Sequence, residues 1–241
     1  MKMKPIIYVG IVSIFLTLLF ASFSFVAVGS KPGAVESTVE VLWFDDFESE
    51  TFKWLGVGSG SVSRSTVGAF NGDASLNVTA LMWNNEEALR QIGSSEYPMP
   101  VITLDFWFSI PMTNFGYFVF GLEYCSAHRD VWYRSGIQMV SGEYENEAGV
   151  WSSIEGFPVG WDINDGYDVW HHANLLVDLA NGNYISLTVD DYDFDLKSLG
   201  YKCYNRGSPQ VLWGVFFPYF YSGGGYGSCS ILIDDVTLML E

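Results

Sequence analysis

Between Val101 and Ile110 the chain alternates without a break. Ile102, Leu104, Phe106, Phe108 and Ile110 fall on one side of an extended backbone, and Thr103, Asp105, Trp107 and Ser109 on the other. A period of two sustained over such a stretch marks a half-buried β-strand. Shorter runs with strand character lie at 41–47, 74–80, 88–92, 117–124, 136–140, 149–154, 172–178, 184–190, 211–217 and 230–240. Turn formers separate them, such as Asn71-Gly72-Asp73, Asn164-Asp165-Gly166 and Ser222-Gly223-Gly224-Gly225. No window beyond residue 40 carries a 3.6-residue apolar period. Many short strands with no helices between them predict an all-β antiparallel sandwich or barrel.

The stretch from Val169 to Leu196 asks whether polar clusters within this pattern mean chemistry. It carries His171 and His172, followed by Asp178, Asp190, Asp191, Asp193 and Asp195. Two apolar strands here flank Leu179-Ala180-Asn181-Gly182-Asn183, and Asn-Gly accepts the positive φ of a tight turn, so a β-hairpin is predicted. Adjacent side chains on a strand point to opposite faces, which keeps the two imidazoles from sharing one metal ion. One histidine is expected to be packed or hydrogen-bonded at the sheet and the other to face solvent. The aspartates after Val189 are expected to line a strand end and its loop.

Composition adds location. With 241 residues, 49% hydrophobic and only 16% charged, the chain can bury one full core of β-sandwich size. Part of that apolar content is N-terminal: Lys2 and Lys4 precede a run from Ile6 to Val28, and Ala27-Val28-Gly29 offers small residues for a cut before Ser30. The run is also long enough to cross a bilayer uncleaved. Residues 1–29 are therefore expected to be a signal peptide or signal anchor, 30–40 a linker and 41–241 the folded domain, secreted or anchored at the cell surface. Asn77-Val78-Thr79 is an N-glycosylation sequon, which makes Asn77 a candidate acceptor. Cys125, Cys203 and Cys229 form no CxxC, which argues against zinc and redox motifs. Three cysteines allow one internal disulfide, and Cys203 with Cys229 is the favoured pair because each precedes a predicted strand. The 28 acidic residues against 11 basic give a net charge of -17, which repels nucleic acid and anionic membrane surfaces. Neutral glycans, cations and other proteins stay open as partners.

The hairpin resembles the pattern of laminin-G-like and other concanavalin A-like jelly rolls. In these a Trp-His pair opens a strand, an Asp and a Gly-containing turn follow, and an apolar strand ends in Val-Asp; here the elements are Trp170-His171, Asp178, Gly182 and Val189-Asp190-Asp191. Val41-Leu-Trp-Phe-Asp-Asp-Phe-Glu48 and Ile231-Leu-Ile-Asp-Asp-Val-Thr-Leu238 are similar to the first and last strands of such sandwiches, including carbohydrate-binding modules. Gly72-Asp-Ala-Ser-Leu-Asn-Val78 is similar to an early strand between them. The resemblance implies a two-sheet jelly roll and a lectin-like or glycan-processing setting. It also implies a structural calcium held by Asp46, Glu48, Asp234 and Asp235 where the first and last strands lie side by side. On the residues alone, Asp45-Asp46 and Asp234-Asp235 read equally as β-bulges or solvated edges.

Two further sets of residues bear on function. Glu143, Glu145 and Glu147 recur every second residue, so on a strand they would share one face, as glycosidase carboxylates must. Jelly-roll glycanases resemble this with Glu-x-Asp-x-Glu, but here the middle residue is Glu145 and bulky apolar alternates are missing, so a solvated acidic turn is favoured. If the chain is an enzyme, it is expected to be a glycoside hydrolase or polysaccharide lyase; no Gly-x-Ser-x-Gly elbow or phosphate loop points elsewhere. Sugars are held by flat aromatic faces with hydrogen-bonding neighbours. By parity Trp107, Tyr117 and Tyr184 are expected to point outward, and Trp83, Trp132 and Trp151 lie near predicted loops. The expected function is thus an exported, non-catalytic carbohydrate-binding or adhesion domain whose partner is a glycan or cell-surface protein. The alternative is a self-associating structural subunit of an extracellular coat, stalk or filament. Membrane contact is expected only through the N-terminal segment.

Overall fold

The computed structural model describes residues 39–81, 84–92, 101–110, 116–126, 131–139, 141–157, 168–205, 214–221 and 228–241. The expected export segment, most of the linker, and Trp83 lie outside them. The first strands are β1 (Glu40–Asp45), β2 (Leu55–Gly58), β3 (Ser61–Ser65), β4 (Ser75–Leu81) and β5 (Asn84–Gln91). There follow β6 (Val101–Ser109), β7 (Gly116–Ser126), β8 (Val131–Gln138), β9 (Glu143–Glu145) and β10 (Trp151–Ser153). The remainder are β11 (Trp170–Asp178), β12 (Asn183–Val189), β13 (Tyr192–Phe194), β14 (Tyr204–Asn205), β15 (Gly214–Tyr221) and β16 (Ser228–Leu240). Among the described residues there is no helix.

The strands form two antiparallel sheets. One runs β13-β12-β11-β6-β16-β4-β3, with β1 also pairing β16; the other runs β10-β9-β8-β7-β15-β5-β2, with β14 also pairing β8. The first half of β16 pairs β4, its second half pairs β1, and β6 lies along its other side. The first and last strands are therefore neighbours, as expected of a jelly-roll sandwich. The alternation in β6 is realised: Ile102, Leu104, Phe106 and Phe108 are fully buried. They meet Phe118, Phe120 and Leu122 of β7 and Val215 and Phe217 of β15 across the core. Phe106 makes edge-on contacts 4.9 Å from both Phe120 and Phe217. Truncating such a ring to alanine costs about 3–5 kcal/mol, so this cluster is the mechanical centre of the sandwich.

Three local departures from the alternation matter. The β16 register against β6 shifts between Asp234 and Thr237, and Asp235 there has φ 48°. The Asp-Asp pair thus sits at a β-bulge, one of the two readings that the residues alone allowed. In the predicted hairpin, Leu176 faces Ser186 but Val177 faces Tyr184, leaving Ile185 as an extra residue. That bulge inverts the parity before it, and Tyr184 is fully buried instead of outward. Finally, Cys203 and Cys229 do not bond to each other. Cys203 donates its N–H to Gly182 at the turn of β11 and β12, beyond the Val101 end of β6. Cys229 lies past the Ser109 end, three residues before Leu232. At about 3.3 Å per residue the two are roughly 30 Å apart, against a Cα limit of about 7 Å for a disulfide.

Candidate functional site

The sheet built on β7 and β8 has a second face, turned away from the core. Since Phe118, Phe120, Leu122 and Tyr124 point inward, Val119, Gly121 and Glu123 point outward. The same parity turns Arg134, Gly136 and Gln138 of β8 and Glu143 and Glu145 of β9 to this face. Register sets them in rows: Glu123 opposite Arg134, Gly121 opposite Gly136, Val119 opposite Gln138, Gln138 opposite Glu143 and Glu145 opposite Trp151. Val119, Glu123 and Gln138 are buried although they point outward, so the face is recessed.

Two glycines meet in its floor, and the side chains of Phe216, Trp151 and Glu145 close over them. A Cβ on Gly121 would stand 1.6 Å from the Ser135 carbonyl oxygen, which excludes any other residue there. A Cβ on Gly136 would come within 3.2 Å of the Trp151 ring and 3.3 Å of the Glu145 carboxylate. Trp151 is 37% exposed at the edge of this floor. Arg134 joins the row, 3.4 Å from carboxylate oxygens of both Glu123 and Glu145. Its guanidinium also lies 4.2 Å above the ring of Phe216, an outward residue of β15 that is nevertheless fully buried. Glu143 accepts a hydrogen bond from Ser141 Oγ at 2.6 Å.

Beneath the floor stands Tyr184, reaching across from the opposite sheet. Gly136 donates its N–H to the phenolic oxygen at 2.7 Å, and the hydroxyl faces the carbonyls of Gly136 at 3.2 Å and Glu145 at 3.0 Å. Burial, and then the neighbouring Cys203, push the Tyr184 phenol well above its ordinary range. It is therefore a neutral donor. Cys203 is itself pushed up by burial and by Asp178 and Glu145, which keeps its thiol protonated.

The outward face of the β6 sheet is occupied differently. Trp107 points outward as predicted, but Phe70 stacks on it at 3.7 Å with 10° between the rings, and His172 packs at 4.8 Å. Its aromatic surface is therefore largely used within the protein. His171 and His172 divide as expected: His171 is buried and its Nδ1 lies 2.7 Å from Asp190, whereas His172 Nε2 lies 2.9 Å from Asp105 on the outer face. Burial disfavours the Asp190 anion, yet hydrogen bonds from His171 and the His172 N–H hold its carboxyl below the usual range.

Three of the four carboxylates that the resemblance offers to calcium already accept backbone N–H groups. Glu48 Oε1 accepts the N–H groups of Asp73 and Ala74 at 2.7 and 2.9 Å. Asp234 Oδ2 accepts those of Phe70 and Asn71 at 2.8 and 3.1 Å, and its Oδ1 accepts that of Asp235. Asp46 accepts from the Glu48 N–H. Asp234 is fully buried, and burial pushes it up to about 6 despite three N–H donors. Asp235 is raised by burial and by Asp46, Asp105 and Glu48 nearby. Among the described residues, no group of three or more His, Cys, Asp or Glu side chains is arranged to hold a metal ion.

Of the residues singled out from sequence, Glu143, Glu145 and Trp151 come together on the recessed face, and Tyr117, 46% exposed, lies on its strand β7. Glu143 and Glu145 stand in a strand, not in the expected turn; Glu147 alone occupies that turn. Trp132 stands in β8, but its side chain, like that of Cys125, lies outside the described residues. Tyr184 belongs to the core and not to a ligand surface. Asn77 lies in β4 between the buried Leu76 and Val78. Sequence reasoning missed Glu123, Arg134, Gln138 and Phe216. Glu123 was visible as the one charge in the outward phase of an apolar strand, but the first residues of β8 show no clean alternation.

The sheet order and the adjacency of first and last strands define the class: the chain folds as a two-sheet antiparallel jelly-roll sandwich. No protein-family model matches the chain, and no curated protein matches its sequence. Several solved structures are similar to it. An endo-β-1,4-glucuronan lyase from the fungus Trichoderma reesei is 11% identical with a TM-score of 0.48, over 84% of this chain and 96% of that one. A glycoside hydrolase family 16 endo-glucanase from Bacteroides ovatus is 14% identical with a TM-score of 0.44, over 82% and 99%. The xylan-binding domain CBM22-1 of Paenibacillus barcinonensis Xyn10C is 13% identical with a TM-score of 0.41, over 83% and 94%.

Proposed function

We propose that this chain is an exported, non-catalytic carbohydrate-binding or adhesion domain that takes a neutral glycan on the recessed face of the β7–β8–β9 sheet. One observation carries the reading. Trp151, 37% exposed, packs down over Gly136 opposite Glu145, with Glu143 and Gln138 paired in the adjoining row. A pyranose ring needs this combination: an exposed indole for its C–H face and acceptors for its hydroxyls. The acidic surplus of the chain, -17 overall, disfavours uronate polymers and leaves neutral sugars.

Catalysis fits less well. A glycosidase needs one carboxyl to carry a proton to the leaving oxygen. Here Glu145 is paired with Arg134 and Glu143 is held by Ser141.

The test is titration of the purified exported part against soluble neutral and acidic polysaccharides, with reducing-end release followed in parallel. Binding of a neutral polymer, weakened roughly five- to tenfold in Trp151→Ala, is the expected result, since one stacking contact is worth on the order of 1–1.5 kcal/mol. A monodisperse monomer that binds no glycan would sink the proposal, and hydrolysis abolished by Glu145→Gln would replace it with the enzyme.

A further inference from the structure

The edge strand β3 pairs with β4, setting Val62 opposite Val78 and Arg64 opposite Leu76. Val78 and Leu76 are core residues, so Arg64 lies in the inward phase of its strand. A charge directed toward a core is costly unless it is paired and hydrogen-bonded. The chain just after β1 supplies the partners. Phe47, 2% exposed, has φ 57°, a left-handed backbone unusual for an aromatic residue. Arg64 Nε donates to the Phe47 carbonyl at 2.5 Å and its Nη2 to the Glu48 carbonyl at 3.5 Å, and the same nitrogen lies 3.8 Å from Glu48 Oε2. Two main-chain oxygens and one carboxylate therefore converge on a single guanidinium. The other oxygen of that carboxylate accepts from Asp73 and Ala74, after Gly72, where a Cβ would stand 2.3 Å from it.

These oxygens, at the end of the first strand, are of the kind a hard divalent cation takes, and they supply three of the six to eight that calcium needs. We infer that Arg64 is a built-in cation that ties β1, β3 and the 70–74 turn together in place of calcium, so that the fold holds without a divalent ion. A calcium ion seated on the Phe47 and Glu48 oxygens would have to displace a guanidinium already hydrogen-bonded to both carbonyls. Their like charges oppose co-occupancy.

The experiment compares thermal unfolding of the wild-type domain in excess calcium and after exhaustive chelation, and repeats it with Arg64→Ala and Arg64→Lys. Equal wild-type midpoints are expected. Arg64→Ala should melt roughly 3–10 °C lower, from the loss of charge-assisted hydrogen bonds. Arg64→Lys should fall between, because an ammonium keeps the charge but not the fork that spans two carbonyls. Terbium, a luminescent calcium substitute, should give no saturable signal on the wild type. A wild-type midpoint that drops several degrees on chelation would overturn the inference, as would saturable terbium binding competed by calcium. So would an Arg64→Ala variant as stable as its parent. The wild-type measurements stand even if neither variant folds.

Discussion

Asp234 shows how one side chain can organise a surface at some cost to itself. Its carboxylate holds the N–H groups of Phe70 and Asn71, and Phe70 is the ring that covers Trp107. With the folded carboxyl at about 6 and an ordinary value of 3.8, the folded protein binds more protons than the unfolded chain between these limits. Its contribution is therefore full below about pH 4 and is lost as pH rises through 6, amounting to roughly 2–3 kcal/mol. The expected outcome is a decline in unfolding free energy from pH 4 to pH 6.5 that Asp234→Asn flattens, followed by urea titrations across that range. The split of the two histidines was legible from sequence because parity alone decides it. The cover on Trp107 was not, since it depends on a loop drawn in by Asp234 from 163 or 164 residues away along the chain.

Among the elements, β12 carries the most consequence for the site. Its bulge at Ile185 puts Tyr184 under Gly136 and Glu145, so a residue of one sheet fixes the backbone on which the other presents its recessed face. Tyr184→Phe should cost about 1–3 kcal/mol by leaving buried backbone groups unsatisfied, as denaturant melts would measure. Glycan affinity should fall with it while the sheet content by circular dichroism is kept. Most strands were legible because alternation over several residues fixes both period and face. The bulge was not: Tyr184-Ile185-Ser186-Leu187 allows two phases, and only the register with β11 chooses between them. Strands β2, β3, β9, β13 and β14 went unread for a related reason, being too short for an alternation to show.

Over the whole molecule, charge and topology act in different ways. The 28 acidic residues against 11 basic repel one another across a compact sandwich, so added sodium chloride should raise the melting midpoint by screening. Scanning fluorimetry from low to physiological ionic strength would test this, and an unchanged midpoint would mean that local pairs such as Arg134 with Glu123 already compensate the excess. The two-sheet class was legible because neither charge nor ligand enters into it. Topology has its own demand. β16 follows the other described strands along the chain, yet it lies between β6 and β4 and also receives β1. β3 can pair with β4, and β12 with β11 and β13, before then, but among the described strands β1 pairs with β16, and the sheet has a gap at its middle until β16 arrives. The sheet therefore stays open at its centre until β16 has left the ribosome, which exposes the earlier strands to chaperones and proteases in the meantime.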